Sequence, residues 1–149
     1  MKDVTLHRVH YSPGYGDMLG QYHGSTLRKG PDGAWIMVCT DRERHDMPKV
    51  TATYAVSHQA VAQLTAFMAE KKIFSLENRL KSNRFVTDYH PWSWSVDYDA
   101  TAFGKTERKY CCIEENKHYS ARDYKILNEL RERFEALRGE KIAETTEEE

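Results

Sequence analysis

The chain has 149 residues, of which 40% are hydrophobic and 30% are charged, and its formal net charge is −1. A chain of this length can bury about 70% of the surface that it exposes when unfolded, so one core can form without a metal or disulfide staple. Lysine and arginine are interspersed with acidic residues, which argues against duplex nucleic acid as a partner, because that partner needs a concentrated basic face.

The amino-terminal region contains no apolar run typical of a secretory signal, and no stretch approaches the ~20 apolar residues that span a membrane. The three cysteines are an odd number, which fits a reducing compartment where thiols stay free. These features predict a cytoplasmic protein without membrane association. A leader preceding the printed chain is left open.

The first third of the chain predicts four strands. Val4 to Tyr11 is rich in β-branched and aromatic residues, and a turn rich in glycine separates it from a second strand at Gln21 to Lys29. Ala34 to Thr40 is nearly continuous apolar, which is typical of a central strand covered on both faces. Val50 to Val56 alternates large and small residues with a period of two, which indicates a strand with one buried face.

A first helix is predicted to begin at Ser57, whose hydroxyl can accept a hydrogen bond from an amide of the first turn. It is predicted to end near Lys71 and Lys72, where positive charge suits the negative end of the helix dipole. Between these limits the apolar residues recur at helical spacing and form one stripe, made up of Val61, Leu64, Phe67 and Met68.

An aromatic strand follows, with the sequence DYHPWSWSVDYD from Asp88 to Asp99. Trp92, Trp94 and Tyr98 occupy one parity of this strand and therefore one face. Each large aromatic side chain buries ~150–250 Å², so this face is interpreted as core or oligomer interface, with a stacking platform for a ligand as the alternative. Glu107 to Glu114 is the predicted antiparallel partner strand.

The candidate ligand-binding residues are Asp88, Tyr89, His90 and Trp92, because polar loops that precede a proline at a strand edge are common places for ligand contacts. No catalytic residue is predicted, since no cysteine, histidine or carboxylate stands in a recognised catalytic spacing. The seven histidines lack metal-ligand spacing as well, so neither a metal nor a cofactor is predicted.

The last predicted helix runs from about Ala121 to Arg138. Ser120 and Asp123 resemble a capping box at its start, and Gly139 is a stop signal at its end. Its predicted buried stripe consists of Tyr124, Leu127, Leu130, Phe134 and Leu137.

Together these elements predict a single α+β domain over residues 1–139. Its architecture is a mainly antiparallel sheet of about 5–6 strands with two helices packed on one face. Residues 140–149 contain five glutamates and one lysine, and they are predicted to form an acidic, disordered tail.

A series of short motifs runs from Tyr54 to the last helix. They are Tyr54-Ala55-Val56-Ser57 before a helix, Leu64 to Phe67 inside it, Trp94 to Asp99, Gly104, and Tyr119-Ser120 before the last helix. Their order resembles an uncharacterised α+β domain found in small lipoproteins of Firmicutes bacteria. The resemblance implies a fold but no defined activity, and no site residue carries over. This chain departs from that group in lacking a lipid-attachment cysteine.

These observations favour a non-enzymatic bacterial domain that binds a protein or a small molecule, and the open edges of its sheet favour a homodimer. The alternative is a small hydrolase or transferase whose pocket lies between the sheet edge and the loops at residues 15–20 and 88–92. A concave pocket with convergent polar groups and shifted pKa values would favour the enzyme. An apolar patch or groove would favour the binding domain.

Overall fold

Residues that favour strands alternate between two faces along most of the chain, and the computed structural model brings them into one large sheet. The structure describes residues 3–16, 20–80 and 89–147. Its strands are β1 (Asp3–Ser12), β2 (Tyr15–Gly16), β3 (Tyr22–Lys29), β4 (Trp35–Arg42), β5 (Lys49–Ala55), β6 (Tyr89–His90), β7 (Ser93–Ala102), β8 (Lys105–Glu114) and β9 (Lys141–Glu147).

The main sheet contains seven strands in the order β8-β7-β1-β3-β4-β5-β9, and every neighbouring pair is antiparallel. Strands β2 and β6 pair with each other in a separate two-stranded ribbon. The predicted α+β class and antiparallel sheet are therefore confirmed. The predicted number of about 5–6 strands is too low, because β9 was not foreseen.

Three helices connect the strands: α1 (His58–Glu70), a 3₁₀ helix (Ile73–Asn78) and α2 (Ala121–Glu135). Ser57 caps α1 as predicted, since its hydroxyl accepts a hydrogen bond from the amide of Ala60 at 3.1 Å. The 3₁₀ helix is an addition to the two predicted helices. Within the described ranges, neither α-helix combines the length and the apolar character that crossing a membrane requires.

The hydrophobic core lies between the helices and one face of the main sheet. In the centre of that face Val9 is opposite both Leu27 and Val96, and each of the three is at most 1% exposed. Leu64 of α1 and Leu130 of α2 belong to the same buried cluster. Both helices therefore pack on one face, and burial of this apolar surface is the main force that holds them there.

The opposite face, called the open face below, is mostly polar. Ile36 and Val38 of β4 lie on it and are half-buried, whereas Met37 between them is in the core. The prediction that this strand is covered on both faces is therefore wrong. One covered and one largely solvated face is the common arrangement for an antiparallel sheet.

Residues 141–147 form an edge strand, so the prediction of a disordered tail is wrong for these residues. Strand β9 pairs with β5 along its length, and it is reached through Gly139, whose amide donates to the carbonyl of Ala55 at 2.8 Å. A Cβ on Gly139 would lie 2.6 Å from that carbonyl oxygen. Glycine is therefore required there for close backbone approach, and not as the left-handed stop residue that the sequence suggested.

Candidate functional site

Among the predicted ligand-binding residues, Trp92 is the one whose side chain the structure describes. Asp88 lies outside the described residues. The backbones of Tyr89 and His90 form β6 and pair with Gly16 and Tyr15. Trp92 follows Pro91 immediately before β7, so it stands at the end of the main sheet, and the site is described from there.

The backbone of Trp92 is held at both of its polar groups by Glu115. The Glu115 amide donates to the Trp92 carbonyl at 3.1 Å, and the Trp92 amide donates to the Glu115 carboxylate at 3.5 Å. The indole ring is half-buried and contacts the Tyr119 ring, with ring centres 5.9 Å apart. This geometry orients the indole before any ligand arrives.

Tyr119 links the indole to α2. Its hydroxyl donates to the Glu114 carbonyl at 2.6 Å, and its ring meets Tyr124 edge-on with ring centres 5.6 Å apart. Burial raises the pKa of the Tyr119 hydroxyl above its ordinary value, so this group stays protonated and keeps its role as donor. Tyr124 is 44% exposed, which leaves part of its ring free for contact with a partner.

The first turn of α2 is fixed by a capping box and an ion pair. Ser120 and Asp123 exchange hydrogen bonds at 3.0 and 3.1 Å, as predicted. Arg79 donates twice to the buried Asp123 carboxylate, at 3.0 and 3.2 Å. These Arg79 hydrogen bonds are the largest cause of a pKa for Asp123 below its ordinary value. The position of Tyr124 therefore rests on a rigid helix start.

On the inner side, Trp94 is part of the core. It is 1% exposed, it stacks on Tyr11 with ring centres 4.2 Å apart, and it meets Phe134 edge-on at 5.2 Å. Val96 and Tyr98 on the same strand face are buried too. The core interpretation of the aromatic strand thus holds for Trp94, whereas Trp92 is partly buried and packs against the border of the core.

Between these rings and α2 lies a small cleft with a volume of about 90 Å³. Its walls are mostly aromatic, and its polar groups are the amide of Asn128 and the guanidinium of Arg131, which lies 3.5 Å from the Glu135 carboxylate. We call it the aromatic cleft, and it is lined by Tyr11, Trp92, Trp94, Tyr124, Leu127, Asn128 and Arg131.

An open strip of surface runs along the outer side of α2 and adjoins the aromatic cleft. Tyr124 and Asn128 belong to both, and the strip continues past Lys125 and Glu132. An elongated ligand could therefore place one group in the cleft and extend along the helix.

Cys111 and Cys112 do not offer a nucleophile. Burial, followed by the proximity of Glu77, raises the pKa of the Cys111 thiol to about 12, and burial raises the pKa of the Cys112 thiol as well. Both thiols are thus protonated at neutral pH, whereas attack needs the thiolate. In the part of the chain that the structure describes, no group of three or more His, Cys, Asp or Glu side chains could hold a metal ion.

A polar pair of different character lies on the open face. The His10 ring and the Thr26 hydroxyl are joined by a hydrogen bond of 2.8 Å. Burial, and secondarily the charge of Arg8, lowers the pKa of His10, so the imidazole is neutral at pH 7. This pair is separate from the aromatic cleft, because its strands point it to the other face of the sheet.

Sequence reasoning found one residue of the cleft and missed the polar ones. Tyr124 was predicted to be buried because its spacing fits the apolar stripe of α2, but it lies at the border of that stripe and is exposed. Asn128 and Arg131 carry no signal of their own, since polar residues on a helix normally face solvent. The one feature of the sequence that could have indicated the cleft was an aromatic residue, Tyr124, in the first turn of α2.

No known protein family, curated protein or solved structure matches this chain. The resemblance to the lipoprotein domain therefore stays a prediction.

Proposed function

We propose that this protein is a non-enzymatic binding domain that recognises an extended, proline-containing segment of another protein. The observation that carries the proposal is the aromatic cleft, whose rings contact one another or Tyr119 and which includes the exposed Tyr124. Aromatic-lined grooves are a recurring means of binding segments in the polyproline II conformation.

The dimensions of the cleft favour one short apolar group over a whole small-molecule ligand. Pockets for drug-sized ligands and cofactors span about 300–1,000 Å³, whereas this cleft has about 90 Å³. A pyrrolidine ring is of the right size and is apolar, and it packs against aromatic faces such as those of Trp92 and Tyr124.

The polar groups at the mouth suit the backbone of such a segment. A polyproline II helix has no internal hydrogen bonds, so its carbonyl groups remain free to accept. Asn128 and Arg131 are donors located beside the aromatic walls, and the neighbouring open surface of α2 leaves room for the residues that follow. Little conformational entropy is lost on binding because the segment is already extended and stiff.

The test is fluorescence anisotropy with a fluorescein-labelled decaproline peptide, compared with a glycine-serine peptide of the same length. Decaproline should bind more tightly, and Tyr124→Ala should weaken binding about tenfold or more, as aromatic residues at the centre of an interface do. Tyr110→Ala is the matched control, because Tyr110 is an exposed tyrosine of β8 outside the cleft, and it should leave binding unchanged.

Equal binding of the two peptides would contradict the proposal. Equal losses for the Tyr124 and Tyr110 variants would also contradict it, because they would indicate nonspecific adhesion.

A hydrolase or transferase remains the second candidate, and the pair of His10 and Thr26 is the observation that favours it. A hydroxyl that is hydrogen-bonded to a neutral imidazole is the first requirement for an activated nucleophile. Hydrolysis of p-nitrophenyl acetate decides between the two: a rate that falls at least tenfold in both His10→Gln and Thr26→Val would favour the enzyme. The binding-domain proposal expects the same slow rate in all three proteins.

A further inference from the structure

Strand β8 forms one edge of the main sheet, and half of that edge is closed by side chains from elsewhere in the chain. The amide of Cys112 donates to the Glu77 carboxylate at 3.3 Å, and its carbonyl accepts from Lys117 at 3.4 Å. Two residues further on, the carbonyl of Glu114 accepts from Tyr119. Natural proteins commonly protect sheet edges in this way, because unpaired backbone groups attract foreign strands.

The other half of the edge is open. Strand β8 pairs with β7 without a bulge, so backbone groups that point outward recur at every second residue. The backbone N–H and C=O groups of Cys112 point away from β7. Those of Thr106, Arg108 and Tyr110 therefore point away from β7 as well. Within the described ranges, the outward backbone groups of these three residues have no hydrogen-bond partner. Tyr110 is also 58% exposed.

The charges along the open half restrict which strand can join it. Its sequence, Lys105 to Tyr110, contains both positive and negative side chains. In an antiparallel pair, a residue whose backbone groups point outward can lie opposite only another such residue. For an antiparallel second copy of β8, the register centred on Arg108 puts Glu107 opposite the partner's Lys109, and by symmetry this contact occurs twice. The same register puts Thr106 opposite the partner's Tyr110.

The neighbouring registers are unfavourable. Centring on Glu107 brings the two copies of Glu107 together and places Lys105 opposite the partner's Lys109. Centring on Lys109 brings the two copies of Lys109 together and runs Thr106 into Cys112 of the partner subunit, where Glu77 and Lys117 already occupy the edge. Like charges directly opposite each other destabilise a strand pair.

The favoured register has one cost, because Arg108 of each copy faces the partner's Arg108. Within its own sheet, however, Arg108 lies opposite Asp99, whose carboxylate is 2.8 Å from His7. An acidic residue thus stands in register beside each Arg108, and the single like-charge pair is outnumbered by the two Glu107–Lys109 pairs.

We propose that the open half of β8 is a homodimer interface, in which two copies pair antiparallel about a two-fold axis at Arg108 and join their sheets. The occupant is a second copy because the charge pattern is complementary to itself in one register. Pairing of β8 with the acidic strand β9 of another copy would be head-to-tail, which gives a ring or an open chain and not a two-fold dimer. Five paired residues make a small interface, so the dimer is concentration-dependent.

The test is sedimentation velocity of the full chain between about 10 µM and about 1 mM. The wild type should shift from monomer to dimer across this range. Glu107→Lys alone and Lys109→Glu alone should each weaken dimerisation about tenfold or more, because two contacts become repulsive. The double variant E107K/K109E should restore it, since the exchanged charges are again opposite in sign. Circular dichroism of each variant confirms folding.

A second measurement does not depend on charge. Arg108→Cys should form an intermolecular disulfide on mild oxidation, because the two positions face each other across the axis within disulfide reach. Thr106→Cys is the matched control and should not, since its own copy lies four residues away along the partner strand. A monomer at every concentration, assemblies larger than a dimer, or a dimer indifferent to the charge exchange would each overturn the proposal.

Discussion

Trp92 and Trp94 show how much position along a strand matters for a single residue. Both have the same parity, yet Trp94 is enclosed by Tyr11 and Phe134, whereas Trp92 precedes β7 and has the loop residue Tyr119 as its ring partner. Parity alone predicts which face a residue takes, but it does not tell where the covering helix ends. For that reason the sequence predicted that these aromatic residues are buried, but it did not distinguish Trp94 in the core from Trp92 at the cleft.

This difference leads to a prediction for stability. Trp94→Ala should lower the free energy of unfolding by about 3–5 kcal/mol, as expected for a large aromatic residue removed from a core. Trp92→Ala should cost about 1–2 kcal/mol, because its ring is only partly buried. Urea denaturation measures both values. Equal losses for the two variants would mean that Trp92 belongs to the core.

The ion pair at the start of α2 predicts a pH dependence. The pKa of Asp123 is lower in the folded chain than the ordinary value of 3.8, chiefly through its hydrogen bonds from Arg79. A depressed folded pKa contributes stability that is present above the unfolded pKa and is lost as pH falls through the folded pKa. Asp123→Asn should therefore cost about 1–2 kcal/mol at pH 7, and the difference from wild type should shrink below about pH 4.

Asp46→Asn is the control for this measurement. Asp46 lies 3.3 Å from Arg44, and the side chains of this pair are 60% and 57% exposed. Exposed pairs contribute little, so its unfolding curves should follow those of the wild type at every pH. A constant effect of Asp123→Asn across the pH range would contradict the charge argument.

At the scale of elements, local pattern was sufficient for six strands and both α-helices. Period-two alternation marked β5 and β7, and the serine caps at Ser57 and Ser120 marked the helix starts. Strand β9 was missed because every one of its side chains is exposed, so no apolar alternation appears in its sequence. It is held by backbone pairing to β5, a partner about ninety residues away along the chain; pairing over such a distance leaves no local signal.

The turn between β7 and β8 supports a prediction about an element. Its two residues, Phe103 and Gly104, both have positive φ, at 54° and 76°, as in the two-residue turns that favour Asn-Gly. The Phe103 ring is 98% exposed, so it offsets none of the strain. Phe103→Asn should therefore raise the free energy of unfolding by about 0.5–1 kcal/mol.

Gly104→Ala is the matched change in the same turn. It should lower the free energy of unfolding, because alanine is strained at positive φ. Thermal unfolding of both variants checks this pair of expectations. A loss of stability in Phe103→Asn would mean that the phenylalanine makes a stabilising contact.

For the whole molecule, the decisive features are assembled from distant parts of the chain. The aromatic cleft combines residues from β1, the start of β7 and α2, and the edge of β8 is closed by the 3₁₀ helix and the loop after β8. Neither arrangement could be read from one segment. The fold class, in contrast, could be predicted from the sequence, because the order of strands and helices follows from local sequence patterns.

The sheet should not be uniformly stable. Strands β1, β3 and β4 lie in its middle and carry fully buried residues such as Val9, Leu27 and Met37, whereas β9 is an edge without a buried side chain. Local opening costs little where few apolar contacts are lost. In hydrogen exchange followed by mass spectrometry, peptides covering residues 141–147 should exchange well before those covering residues 4–11. Equal protection would contradict this gradient.

The most direct test of the proposed binding site uses the three tryptophans as internal reporters. Trp92 and Trp94 line the aromatic cleft, while Trp35 is buried in β4 and does not line it. In ¹H–¹⁵N spectra, titration with decaproline should shift the indole signals of Trp92 and Trp94 in a saturable manner and leave that of Trp35 in place. If no indole signal moves, or if all three move together, the aromatic cleft is not the binding site.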